Sequence, residues 1–230
     1  MRRIHILLGV QSLLAILVSI NRLTDWFTGY VLPNEFLRWV DLNNILVALF
    51  SLVTGYLLKK TIEYNSPVRE GRAHTAWNLM FIIGVYVTAV SYGIHEVTNY
   101  LNFRFCLNDP SSDLCRIIIF NDDEFSHWLF FAGFTMVNAA ILFLQYIFPH
   151  QEKVKGGDIA LLLLNSLFLG LGVMANLGFE EIGLDLYIVA LLAVIATFLL
   201  WKKGKQPMFI YYTSAYWLGL IGSLLAQAAR

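Results

Sequence analysis

Charge is the scarcest commodity in this sequence. Asp, Glu, Lys and Arg make up 14% of the 230 residues and apolar residues 58%. A soluble domain carries about 25% charged and about 45–50% apolar residues, so a water-soluble globule is excluded. Proline is sparse, at five residues, and no low-complexity run occurs, which excludes long disordered linkers. The two cysteines are not in a CxxC pair, so neither a disulfide scaffold nor a zinc or redox motif of that type is present. No GxSxG, Walker A, HExxH or paired-histidine haem arrangement is found, so neither haem nor nucleotide is expected. Every lysine in or beside an apolar run (Lys59, Lys60, Lys202, Lys203, Lys205) falls at an end of it, which argues against a retinal Schiff base. No nucleic acid is expected as a partner.

What is abundant is long apolar sequence. Seven runs, near 4–22, 36–58, 74–101, 124–148, 158–177, 183–201 and 207–228, each approach the ~20 residues that a bilayer core requires. They are rich in Leu, Ile, Ala and Phe and lack barrel-strand alternation, so helices are the way each backbone satisfies its own hydrogen bonds in lipid. No internal repeat of the inverted-transporter kind is evident. The expected fold is an all-α integral membrane bundle of about seven helices, one transmembrane domain over residues 1–230. The opening MRRIHILLGVQSLLAILVSI has the basic and apolar regions of a signal peptide. Asn21, Arg22, Leu23 and Thr24 follow in place of a small-x-small cleavage site, so a retained first span is expected.

The zero net charge hides an asymmetry. With the N-terminus inside, the inner loops take eleven of the sixteen basic residues against four acidic ones, and the outer side takes five against twelve. Lysine and arginine in short loops set orientation, which predicts the N-terminus inside and the C-terminus outside. Trp26, Trp39, Tyr100 and Trp128 then fall at outer borders and Trp77 and Trp201 at inner ones, as an aromatic belt. The loop LKKTIEYNSPVREGRAH suits anionic inner-leaflet lipid. A plasma membrane or a bacterial inner membrane is the expected location.

Chemistry-bearing residues gather in one stretch, Ser91–His127. Cys106 and Cys115 share its outer loop, where an oxidising exterior allows a structural disulfide. Ser91, His95 and Asn99 stand at i, i+4 and i+8, with Glu96 beside His95, and Asp123 and His127 again at i, i+4; such spacing places side chains on one helix face. Two imidazoles with Glu96, Asp122, Asp123 or Glu124 match the nitrogen and oxygen preferences of a divalent ion, zinc first. The competing reading is structural. Asn121 followed by Glu124 has the form of a capping box, with the acids complementing a helix dipole, and Asp123–His127 then is a local pair. Asp41 and Asn44 could line the same cavity; Arg38 and Asp41, at i, i+3, can pair with each other. Asn34 after Pro33 reads as an N-cap. Asn176, Glu180, Glu181 and Asp185 flank the fifth and sixth spans, with Glu180 and Glu181 expected in a solvated turn.

Ser91-Tyr-Gly-Ile-His95 is similar to the SxxxH motif of the CREST superfamily of seven-span membrane hydrolases and receptors, and Asp122 or Asp123 to that family's aspartate in the next span. In that family the hydrolases hold zinc with three ligands, two of them from a further HxxxH motif. The family's HxxxH in the last span has no counterpart, because 207–228 contains no histidine.

These features lead to a membrane enzyme acting at the outer face on a lipid or other hydrophobic substrate. His95, His127 and Asp123 would bind metal, Asp122, Asp123 and Glu96 take catalytic roles, and Ser91, Asn99, Asp41 and Asn44 meet the substrate. Ser91 and Asn99 are expected to fix the His95 tautomer. Two alternatives follow from the same residues. One is a transporter or channel with an acidic outer vestibule and a path through Asp41, Asn44, Asn78, Asn138 and Asn165. The other is a partner subunit docking to a membrane protein, or to a second copy of itself, through the disulfide-clipped loop.

Overall fold

A computed structural model describes residues 1–64, 71–179 and 183–228; Glu180 and Glu181, and part of the basic loop after Tyr64, lie outside them. Among the described residues eight α-helices follow one another: α1 Arg2–Leu23, α2 Trp39–Tyr64, α3 Arg72–Leu101, α4 Asp113–Ile119, α5 Ser126–Ile147, α6 Gly156–Phe179, α7 Gly183–Lys203 and α8 Pro207–Ala228. A π-helical segment, Phe120–Phe125, joins α4 to α5 without a break, so among the described residues seven continuous helices are long and apolar enough to cross a membrane. Among the described residues there is no strand, only one isolated antiparallel bridge between Tyr30 and Arg38.

Large apolar side chains cover much of the outer surface, among them Leu13, Leu17, Ile82, Tyr86, Leu164, Leu191 and Val194. In water such a surface would aggregate; against acyl chains it is the favourable one. The share of each span buried by its neighbours varies with its place. Pro207–Ala228 buries 56% of its most apolar window and Arg72–Cys106 only 22%, so α8 is central and α3 peripheral. Around α8 lies the main apolar core, with Phe209, Tyr216, Leu142, Leu144, Leu162 and Leu192 fully buried.

Glycine sets how closely the helices approach. At Gly133 of α5 an added Cβ would lie 2.7 Å from the Thr88 backbone nitrogen and 2.8 Å from the Gly84 carbonyl oxygen. At Gly219 of α8 it would lie 2.7 Å from Val173 Cβ of α6. Small residues at these crossings let two backbones meet where no hydrophobic effect drives them together. α7 ends on Gly204, at φ 76°, which closes the helix in the left-handed conformation that glycine adopts without strain. Pro207 then starts α8 where its missing N–H is not needed.

Polar contacts sort the loops into two ends. The Met1 amino group is 3.5 Å from Glu152, His5 bonds Asp158 at 2.9 Å, and the His150 backbone N–H donates to Gln206 at 2.7 Å. His74 bonds Glu63 at 2.9 Å and packs edge-on against Phe148. The chain start and the loops after α2, α5 and α7 therefore share one end, the one rich in lysine and arginine. Asn21, Asn44, Glu96, His127 and Asn176 mark the opposite, acidic end. Between the two ends, Ser12 bonds Asn165 at 2.8 Å, seven residues beyond His5–Asp158 on both helices, which fixes α1 and α6 as parallel neighbours.

The acidic end is where expectation and structure differ. The helix carrying Asn121–Glu124 begins at Asp113, capped by Ser112, whose hydroxyl accepts from the Cys115 N–H at 3.4 Å. No capping box forms at Asn121, whose amide donates instead to the Ile117 carbonyl at 2.9 Å. Asn34 does not cap α2 either: its side chain accepts from the Phe36 N–H at 3.1 Å in a tight turn, and α2 starts at Trp39. Asp41 thus sits in the first turn of α2. The expected disulfide is present, Cys106 to Cys115 with Cα atoms 5.4 Å apart, and ties the π-helical end of α3, Asn102–Cys106, to α4. A loop over 28–38 folds back across α3: Tyr100 and Arg104 both donate to the Glu35 carbonyl, and Glu35 is held at φ 61°.

Candidate functional site

Four helix ends converge here. α1 brings Asn21 and Arg22 in its last turn, α2 brings Asp41 and Asn44 in its first, α3 brings Tyr92, His95, Glu96 and Asn99, and α5 opens with Ser126, His127, Phe130 and Phe131. Two cavities lie among them. The larger, about 290 Å³, is bounded by Arg22, Arg38, Val40, Asp41, Asn44, Glu96 and Asn99. The smaller, about 160 Å³, is an aromatic slot formed by Tyr92, Phe130, Phe131 and Val18 around His95 and His127. Arg22 and Asn44 line both, so these two side chains form the shared wall.

Glu96 is the hub. Its carboxylate is 1% exposed, and burying a bare charge costs several kcal/mol unless it is paired and hydrogen-bonded. Arg22 donates to Oε1 at 3.0 Å, Asn44 donates to Oε2 at 2.9 Å, and His95 Nδ1 stands 3.3 Å from Oε1. Asn44 is oriented in turn by Asn21, which donates to its oxygen at 2.7 Å and to the Val40 carbonyl at 2.8 Å. Beside this hub Arg38 forks onto Asp41 at 2.8 and 2.7 Å and donates to Asn99 at 2.8 Å, with its guanidinium 4.5 Å from the Phe103 ring centre. The pairing of Arg38 with Asp41 matches the sequence expectation.

The two histidines do meet. Their rings lie nearly parallel, 12° apart in tilt, with centres separated by 5.4 Å. The expected metal ligand set does not assemble around them. Asp123 is exposed and borders neither cavity, because the π turn puts Asp122 inward in its place. Among the described residues no three His, Cys, Asp or Glu side chains converge in a way that could hold a metal. Asp122, buried, accepts from Thr98 at 3.1 Å and Asn102 at 3.5 Å, and so fastens α3 to the π segment.

Ser91 and Asn99 do not orient His95. Ser91 donates to the Ser126 carbonyl at 2.7 Å, joining α3 to α5, and Asn99 serves Arg38. Ser91 still lines the histidine slot, and Asp41, Asn44 and Asn99 line the polar cavity. Asn176 of α6 completes the slot. Of the residues expected along a transporter's inward path, Asn78 bonds His74 at the basic end and Asn165 accepts from Ser12. Sequence reading missed Arg22, whose one visible signal was a charge closing an apolar run. It also missed the aromatic walls, which look like ordinary span residues.

No family model matches the chain, and neither the curated proteins nor the solved structures searched include a match.

Proposed function

We propose that the chain is a membrane-embedded enzyme that hydrolyses an ester-type bond in a lipid-like substrate at the acidic end of the bundle, and that this end faces outward. One observation carries the reading: a slot with aromatic walls and two facing imidazoles adjoins a polar cavity of about 290 Å³, close to the ~300 Å³ at which ligand clefts begin. The slot suits the apolar part of a substrate, and the cavity suits its head group and water. Glu96 lies 3.3 Å from His95 Nδ1, on the side from which a carboxylate steadies a catalytic histidine, and this leaves Nε2 for a proton acceptor's role. In the proposed step water adds to the electrophilic carbon or phosphorus and gives its proton to His95. The bond to the leaving oxygen breaks, and protonated His127 supplies the proton that oxygen takes. Arg22 and Asn44 stand where donors can stabilise the developing negative charge.

The test is turnover of a panel of ester and phosphoester lipids by protein in nanodiscs, followed by mass spectrometry. His95→Ala and His127→Ala are each expected to lower the rate by about 100-fold or more, as loss of a general acid or base does. Turnover that is unchanged in both folded variants would rule the enzyme out. Flux of a small solute or ion in vesicles would point to the transporter instead.

Sidedness rests on the loop charges and has its own check. The native cysteines are joined, so a single new thiol reports alone. Thr28→Cys is expected to react with an impermeant maleimide in intact cells and Gln151→Cys only after lysis. The reverse pattern would invert the bundle.

A further inference from the structure

The four charges around the polar cavity are not equally occupied. Both oxygens of Asp41 are taken by Arg38, and Glu96 has one oxygen on Arg22 and the other on Asn44. Both carboxylates are buried. Arg38, 10% exposed, spends its fork on Asp41 and Asn99. Arg22 differs. Its side chain is 42% exposed, it borders both cavities, and among the described residues it makes one hydrogen bond, to Glu96, out of the five N–H groups that a guanidinium offers. The Asn99 amide nitrogen, on the same cavity, is a second donor facing no acceptor among the described residues. The site therefore presents spare donors on Arg22 and Asn99, while each oxygen of its two carboxylates already accepts a hydrogen bond.

We infer that Arg22 is the receptor for an anionic head group, a phosphate monoester or a carboxylate, carried by the amphiphile whose apolar part enters the histidine slot. The inference rests on the reading that the two cavities hold one amphiphilic substrate. An anion can join Arg22 without displacing Glu96, because a planar guanidinium can fork onto two oxygens while another edge stays bonded. A cationic group finds no free carboxylate here. Bound at the shared wall, the head group would fix the depth of the chain, so that the bond next to it lies beside His95 and His127.

The experiment is a native mass spectrometry titration of the whole protein in a maltoside detergent. The probes are tetradecyl phosphate, tetradecylphosphocholine of the same chain length, and inorganic phosphate. Wild type is expected to bind the phosphate monoester about 10-fold more tightly than the phosphocholine, the size of one charge-assisted hydrogen bond. In the double variant Arg22→Gln/Glu96→Gln, which leaves no buried unpaired carboxylate, the preference for the monoester over the phosphocholine is expected to vanish. Equal affinity for the two lipids in wild type, or a preference that survives the double variant, overturns the inference. Inorganic phosphate binding as tightly as the lipid would overturn the lipid as the carrier. His95→Ala is expected to keep the preference even where it abolishes turnover, so a failure of the receptor and a failure of the catalytic reading give different results.

Discussion

Replacing Arg38 by alanine is expected to destabilise the folded protein by about 3–5 kcal/mol, the cost of stripping one partner from a buried ion pair. Asp41 is 3% exposed with both carboxylate oxygens on the Arg38 guanidinium. No other donor to that carboxylate is seen among the described residues, so the variant leaves a bare charge at the mouth of the bundle. Asn99 loses its donor in the same stroke, and the Phe103 ring its cation. The double variant Arg38→Met/Asp41→Leu removes the charge with its partner and is expected to recover most of the loss, since replacing a whole buried pair by apolar residues is often neutral. Equilibrium unfolding in mixed micelles measures both. A single variant within about 0.5 kcal/mol of wild type, the range of an ordinary surface change, would mean that the pair is not buried as described.

The other large effect belongs to Gly133. Alanine there puts a methyl group 2.7 Å from the Thr88 backbone nitrogen and 2.8 Å from the Gly84 carbonyl oxygen, closer than any carbon rests against backbone. Neither atom is the tip of a flexible side chain, so α3 and α5 must move apart. The expected cost is at least about 3 kcal/mol, the upper part of the range for overpacking, and larger for Gly133→Leu. Gly93, also in a helix, supplies the control. An added Cβ there meets nothing within 4 Å, so Gly93→Ala is expected to be neutral or to stabilise by up to about 1 kcal/mol through helix propensity. Equal melting temperatures for the two alanine variants would contradict the close α3–α5 crossing. Because α3 and α5 also carry His95 and His127, the Gly133 variants are expected to lose histidine-dependent activity with stability.

What could be read from the sequence was what depends on near neighbours in the chain. Each span announces itself by its own apolar run, the Arg38–Asp41 pair by its i, i+3 spacing, and the disulfide by two cysteines nine residues apart in one loop. A single connection joins the helices of His95 and His127, which puts the two residues at a similar depth. The partners of Glu96 were out of reach for the opposite reason. Arg22 and Asn44 lie 74 and 52 residues away along the chain, and periodicity within one helix says nothing of which neighbour its faces meet. The Asn-Asp-Asp-Glu run misled because an Asn with Glu three residues on looks alike whether a helix starts there or passes through. The cap proved to be Ser112, and the acids belong to a wide turn inside a continuous helix.

Those wide turns bear on how this chain can change length. A π turn holds one residue more than the α turn it replaces, and so absorbs a single inserted residue without ending the helix. Two such turns, Asn102–Cys106 and Phe120–Phe125, bracket the disulfide loop at the acidic end. A residue gained or lost there re-aims the few side chains of the turn, Asp122 among them, and leaves the helices below in register. Around Gly84, Thr88 and Gly133 the same event would rotate one backbone against another that it already touches. A one-residue change in length is thus expected to be borne best at the rim beside the cavities, where it alters what the site presents and spares the frame that holds it.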